Sequence, residues 1–269
     1  MKEAIIIENK PLGADFFLIS LKWGAARKVR PGQFVMLRVT GSMDPLLRRP
    51  FSVYNVEGDT IELLYKVVGK GTTILSSLNP GDGVDLLGPL GKGFPIPGGM
   101  LGNGRLLMVA GGVGIAPFYH LGRSINPIRG LNCDNLLIYG ARTKRDTVVV
   151  KSFKNIGVKS KVATEDGTRG TKGLVTDLLE REMHCGDIVY ACGPSPMLKA
   201  VAKLAEAKGI RCLVSLERAM ACGIGVCLGC AIKTVPHRPG RVIKDDRSYH
   251  MVCSDGPVFD SRDVDWDRL

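Results

Sequence analysis

Short apolar runs separated by turn residues fill the chain as far as about position 97. Residues 4–8, 16–22, 33–39, 50–56, 60–68 and 83–87 are rich in Val, Ile, Leu and aromatic side chains. Pro31-Gly32, Glu57-Gly58-Asp59 and Asn79-Pro80-Gly81-Asp82-Gly83 punctuate them, as turns punctuate strands. Strands at this spacing predict a small antiparallel barrel, with one short helix over 72–78. The glycine-rich stretch 98–104 reads as a connector. Beyond it the period changes. Residues 105–110, 135–139, 158–164, 187–191 and 212–216 are strand-like, and 117–123, 144–155, 174–182 and 195–208 between them carry helical patterns. Such alternation predicts a parallel sheet of βαβ units. From 217 onward the chain is irregular and rich in Cys and Gly, as where a metal centre replaces an apolar core. The expected fold is α+β and multidomain: a β-barrel over 1–97, an α/β domain over 98–216 and a small C-terminal domain over 217–269.

Length and charge narrow the function classes. At 269 residues the chain can bury two cores and carry an appendage. No apolar run approaches the roughly 20 residues that span a bilayer, and the start reads as a strand rather than a secretory signal. A cytoplasmic protein is expected, in a compartment where thiols stay reduced. The formal charge is +11, but the Lys and Arg residues are spread along the chain rather than gathered in a stripe interleaved with aromatics. Anionic phosphates and a partner protein are better expectations than nucleic acid.

Four of the eight cysteines form the most specific pattern. Cys222, Cys227 and Cys230 stand in a C-x4-C-x2-C spacing with glycines between them, and Cys253 follows. This is the plant-type ligand pattern of a [2Fe–2S] cluster. Glycines let the loop curl and let amide N–H groups approach the sulfurs. Zinc is the competing metal, with His237 and His250 available, but structural zinc sites favour paired short knuckles. Cys133, Cys185 and Cys212 read as small buried filler.

The remaining motifs suit nucleotides. In Arg49-Pro50-Phe51-Ser52, an Arg fork can clamp a pyrophosphate, Phe51 can lie on a flat ring and Ser52 can reach a ring heteroatom. Leu64-Tyr65-Lys66 ends a strand, and Gly71-Thr72 opens a helix whose free N–H groups suit phosphate. Gly111-Gly112-Val113-Gly114 joins an apolar strand to a helix that carries Pro117. The physics is that of a dinucleotide turn: no Cβ in the way, and a helix start facing a pyrophosphate. Cys192-Gly193 falls at a strand's carboxyl end, where α/β sheets hold ligands. As a thiol, Cys192 reads as unreactive. Lys144-Arg145 could accept a 2′-phosphate.

Together these motifs resemble the ferredoxin–NADP reductase superfamily. The segment from Ser215 to Cys230, with 252–259 and 164–177, is similar to the electron transfer subunits of class 1B dihydroorotate dehydrogenases. That resemblance implies FAD between barrel and nucleotide domain, held by Arg49, Pro50, Phe51, Ser52, Leu64, Tyr65, Lys66, Gly71 and Thr72. It places Gly111, Gly112 and Gly114 against NAD, with Cys192 and Gly193 near the nicotinamide. Cys222, Cys227, Cys230 and Cys253 then ligate the [2Fe–2S] cluster. It further implies an oxidoreductase of pyrimidine (UMP) biosynthesis, in a heterotetramer of two plus two with a flavin-containing catalytic subunit. Electrons would pass from that subunit through the cluster and FAD to NAD+. Many reductases of the superfamily end in an aromatic residue over the flavin; this chain continues instead, so no such lid is expected. Two other readings use the same residues: an NAD(P)H-dependent ferredoxin or polysulfide reductase subunit, and a zinc-stabilised binding module without redox function.

Overall fold

The computed structural model describes residues 2–97, 104–125, 135–235 and 248–269. Six strands close the barrel: β1 (Lys2–Gly13), β2 (Phe16–Lys22), β3 (Phe34–Arg38), β4 (Arg49–Glu57), β5 (Thr60–Lys66) and β6 (Gly83–Leu90). Their order is β1-β2-β5-β4-β3-β6, antiparallel throughout. Alternation does the sorting. Ile19, Leu21, Val35, Leu37, Val53, Ile61 and Leu63 have no accessible surface and fill the interior with Trp23 and Tyr65. Helix α1 (Lys70–Ser76) follows β5. The expected strands and helix are all present; β1 alone runs well past its expected end, on to Gly13.

The second sheet has seven strands: β7 (Leu106–Gly111), β8 (Leu136–Ala141), β9 (Lys159–Thr164), β10 (Thr171–Lys172), β11 (Ile188–Cys192), β12 (Arg211–Ser215) and β15 (Val258–Asp260). They run in the order β10-β9-β8-β7-β11-β12-β15. All pairings are parallel except that of β15 on β12. Central β7 is buried along its whole length, because α2 (Ala116–Ile125), α3 (Val175–Glu182) and α4 (Ser195–Ala207) cover the sheet's faces. One expected helix differs: residues Lys144–Ile156 form a 3-10 segment. Its run Thr147-Val148-Val149-Val150 crowds an α-helix at χ1, and Thr143 caps its start by accepting from the Arg145 amide at 3.2 Å. The connector 98–104 and Cys133 fall almost wholly outside the described residues; only Gly104 lies within them.

The C-terminal segment carries a two-stranded sheet, β13 (Ala231–Lys233) with β14 (Tyr249–Met251). It then returns as β15 to edge the nucleotide sheet, a pairing its sequence did not announce. Its buried residues Cys230, Ile232, Val252 and Cys253 share one apolar cluster with Val214 and Leu216 of the sheet side and with Phe34 and Met36 of the barrel.

Barrel and sheet are tied by Tyr54, whose hydroxyl lies 2.7 Å from Ser152 Oγ and whose ring stacks on Tyr119. Arg123 donates to Asn55, and Tyr190 to the Pro95 carbonyl, both at 2.9 Å. Among the described residues no helix is long and apolar enough to cross a membrane.

Candidate functional site

A cleft of about 510 Å3 runs between barrel, sheet and C-terminal segment. Arg49, Pro50, Phe51 and Ser52 line it from β4, Leu64, Tyr65 and Lys66 from β5, and Thr72 from α1; Gly114 and Cys192 face it from the nucleotide side. Antiparallel pairing of β4 with β5 brings the two motifs side by side. Gly71 is set behind this wall, where a Cβ would stand 2.7 Å from Arg49 Nε; its smallness lets the guanidinium lie over the start of α1. The Thr72 hydroxyl is spent on the turn, accepting from the Val68 and Gly69 amides at 2.9 and 3.2 Å. The Tyr65 hydroxyl bonds Asn9 at 3.0 Å, so that residue offers the cleft its ring.

Lys66 reaches out of the barrel. Its Nζ lies 2.9 Å from Asp146 Oδ1 and over the Phe16 ring. Burial works against the Asp146 carboxylate, yet Lys66 and Thr143 hold it below the ordinary range. Lys66 and Asp146 also border a second cleft of about 440 Å3, with Gly111, Gly112, Arg142 and Glu165. Gly193 lines neither cleft but backs Gly111, whose amide would stand 3.1 Å from an added Cβ. Lys144 and Arg145 line neither cleft; the basic residue at the second cleft is Arg142.

Burial sorts the other cysteines. Cys192 is 2% exposed, and desolvation pushes its thiol far above the ordinary range, which matches the inert reading. Cys212 is buried as expected. Cys185 is exposed, correcting the expectation of filler: it lies in the turn between α3 and β11, and the core there is closed by Met183.

Cys222, Cys227 and Cys230 lie on one curl, and Cys253 reaches it from the turn after β14. The Ile224 and Cys227 amides each donate to Cys222 Sγ at 3.4 Å, Gly225 N to Cys253 Sγ at 3.1 Å and Cys253 N to Cys230 Sγ at 3.4 Å. Glycine is required at two places. Gly223 has φ +74° with Met36 Cγ 2.7 Å from an added Cβ, and Gly225 has φ +83° with Ser254 Oγ at 2.8 Å. The Cys227 and Ile224 amides hold the Cys222 thiol down to about 6. Burial and the neighbouring Cys230 push Cys253 up to about 12. Cys230 and Cys253 are both buried with sulfurs 3.2 Å apart. Backbone amides aimed at the Cys222, Cys230 and Cys253 sulfurs suit thiolate ligands. The donor set therefore fits a metal centre. Among the described residues no group of three or more His, Cys, Asp or Glu side chains is set for a single ion. His250 is engaged by Thr234 at 3.0 Å, and His237 lies outside the described residues.

The family described as the iron-sulfur cluster binding domain of dihydroorotate dehydrogenase B matches residues 217–265. An oxidoreductase NAD-binding domain matches 108–203 and an oxidoreductase FAD-binding domain 3–94. A dihydroorotate dehydrogenase B (NAD(+)) electron transfer subunit from Caldanaerobacter subterraneus subsp. tengcongensis is 39% identical, over 97% of both chains. That from Geobacillus thermodenitrificans is 42% identical over 89% of this chain and 88% of its own. The chain belongs to the family of dihydroorotate dehydrogenase B electron transfer subunits. It also resembles a solved structure described as an NADH-dependent reduced ferredoxin-NADP oxidoreductase. That likeness has TM-score 0.82 and 31% identity, over 98% of this chain and 90% of the other.

For an electron transfer subunit the telling residues include several that the motifs did not single out. Glu217, Arg218, Ala219 and Met220 line the first cleft, as do Phe34 and Pro257. Residues 217–220 had position as their signal, lying just ahead of Cys222; Phe34 and Pro257 are brought to the cleft by the fold alone. Glu217 keeps an exposed side, yet desolvation raises its carboxyl above the ordinary 4.5. An acid raised on folding stabilises fully below its unfolded value and loses that contribution as pH rises through the folded one. Glu217→Gln should therefore melt close to the parent near pH 4.5 and increasingly above it as pH rises towards 8. Parallel melting curves across that range would contradict the assignment.

Proposed function

We propose that this chain is the electron transfer subunit of an NAD-dependent dihydroorotate dehydrogenase, serving pyrimidine biosynthesis in the cytoplasm. Its partner is a flavin-containing catalytic subunit, in a heterotetramer of two plus two. The division is that expected from the sequence: FAD on 1–97, NAD on 98–216, the cluster on 217–269. When bound, the cofactors divide the electron chemistry, since nicotinamide exchanges pairs as hydride, an iron–sulfur centre single electrons, and a flavin both.

The chain's residues supply position. Arg49 and the start of α1 take the FAD pyrophosphate, Phe51 and Ser52 the ring, and Pro50, Leu64, Tyr65, Lys66, Gly71 and Thr72 the surrounding wall. Gly111, Gly112 and Gly114 admit the dinucleotide, with Cys192 and Gly193 at its nicotinamide end. Cys222, Cys227, Cys230 and Cys253 hold the cluster. The observation that supports this reading most is one short segment: Arg218 and Met220 line the flavin cleft, and Cys222 follows two residues later.

The test is co-purification. The chain should bring down a flavoprotein that oxidises dihydroorotate, and the pair should reduce NAD+ with flavin and cluster absorption both bleached by reductant. The likeness to the ferredoxin-linked structure favours one second reading, a ferredoxin-reducing subunit. Efficient ferredoxin reduction by the chain alone, with no such partner, would decide for it.

A further inference from the structure

Three cationic side chains line the flavin cleft: Arg49, Lys66 and Arg218. Two are engaged. Arg49 donates to the Leu47 carbonyl and packs over Gly71, and Lys66 holds Asp146. Arg218 differs. It is half-buried, and its Nε is buried with no hydrogen-bond partner among the described residues. A buried charged donor lacking an acceptor is rare in native proteins and calls for a ligand or a functional reason.

Its place identifies the missing acceptor. Arg218 leaves the carboxyl end of β12, where Ser215 pairs with Cys192 of β11. That is a different wall from the one carrying Arg49, Gly71 and Thr72, whose chemistry suits phosphate. The adjacent Glu217 is exposed and leaves the Arg218 Nε without an acceptor. Four residues on, Cys222 begins the cluster curl.

We propose that Arg218 donates to the flavin ring of bound FAD and holds the negative charge that the ring gains on reduction, setting the potential at which electrons pass between FAD and the cluster loop. This rests on the FAD reading above. Hydride from NADH carries two electrons and one proton to the oxidised ring, leaves NAD+, and leaves the ring with one net negative charge. A guanidinium in hydrogen-bond contact favours that reduced state over the oxidised one.

The test is a spectroelectrochemical titration of FAD in the loaded subunit, comparing the parent with Arg218→Met, Arg218→Gln and Arg218→Lys. The Met and Gln variants should lose at least tenfold in preference for reduced over oxidised flavin, a fall of about 30 mV for a two-electron couple. The Lys variant should recover part of that fall. Loss of FAD from Met but not from Lys, with Lys near the parent potential, also supports the contact. FAD retained at an unchanged potential in Met and Gln overturns this role and leaves the FAD reading intact. A parent chain that binds no FAD overturns both.

Discussion

Cys227→Ser abolishes the broad cluster absorption and leaves the flavin bands in place. NADH oxidation with an artificial acceptor survives in that variant. Dihydroorotate-driven NAD+ reduction by the complex falls by more than about 100-fold, because changes merely behind metal ligands already cost roughly 10–100-fold. The split follows from the packing. Cys227 is exposed, and its amide serves Cys222 rather than its own sulfur serving the core. An added hydroxyl there displaces no buried atom. The cleft proposed for FAD is walled by β4, β5 and 217–220, and Cys227 does not line it. Cys230 and Cys253, both buried in the shared apolar cluster, make poorer probes because their loss also opens a cavity. Simultaneous loss of FAD absorption from Cys227→Ser would contradict the separation of flavin and cluster sites.

Much of this arrangement was legible in the sequence because the informative residues are local. Strand alternation, the Gly111–Gly114 turn and the cysteine spacing each lie within a few positions, and each recurs in the structure. What was not legible depends on contacts between distant segments. The pairing of β15 with β12 spans more than forty residues, and a three-residue strand carries almost no periodicity. Glu217 and Arg218 look like an ordinary charged pair at a strand end; only the closure of barrel against sheet turns them towards a cleft. Lys66 was read with the flavin motif, yet its ion pair with Asp146 crosses to the nucleotide domain, a partner no local pattern could name. The 3-10 segment at Lys144–Ile156 shows a different failure: helical periodicity was present, but a β-branched run chose the tighter winding.

Gly114→Ala should damage both clefts at once. A Cβ on Gly114 would stand 2.4 Å from the Cys192 carbonyl oxygen, 2.6 Å from its carbon and 2.7 Å from Gly193 N. All three are backbone atoms at the end of β11, which is locked to β7 and β12 on either side. Nothing there can rotate away, so the turn itself must move. Gly111 and Gly112 in that turn border the second cleft, Gly114 borders the first, and Ile115 and Phe118 just beyond have no accessible surface. Overpacking of this kind costs roughly 1–3 kcal/mol, and a displacement near 1 Å can cost about 100-fold in rate when reactants must be aligned. The expected outcome is a lower melting temperature with a fall of that order in kcat/KM for NADH with an artificial acceptor. Gly112→Ala separates the causes. Its added Cβ would meet nothing within 4 Å, but φ is +56°, so only the left-handed backbone penalty of about 1–2 kcal/mol applies. Gly112→Ala should lose stability and raise KM for NADH, because its Cβ enters the cleft proposed for the dinucleotide, while keeping most of its kcat. Equal losses of kcat in the two variants would show that backbone strain, and not the close approach of Gly114 to Cys192, governs the turn.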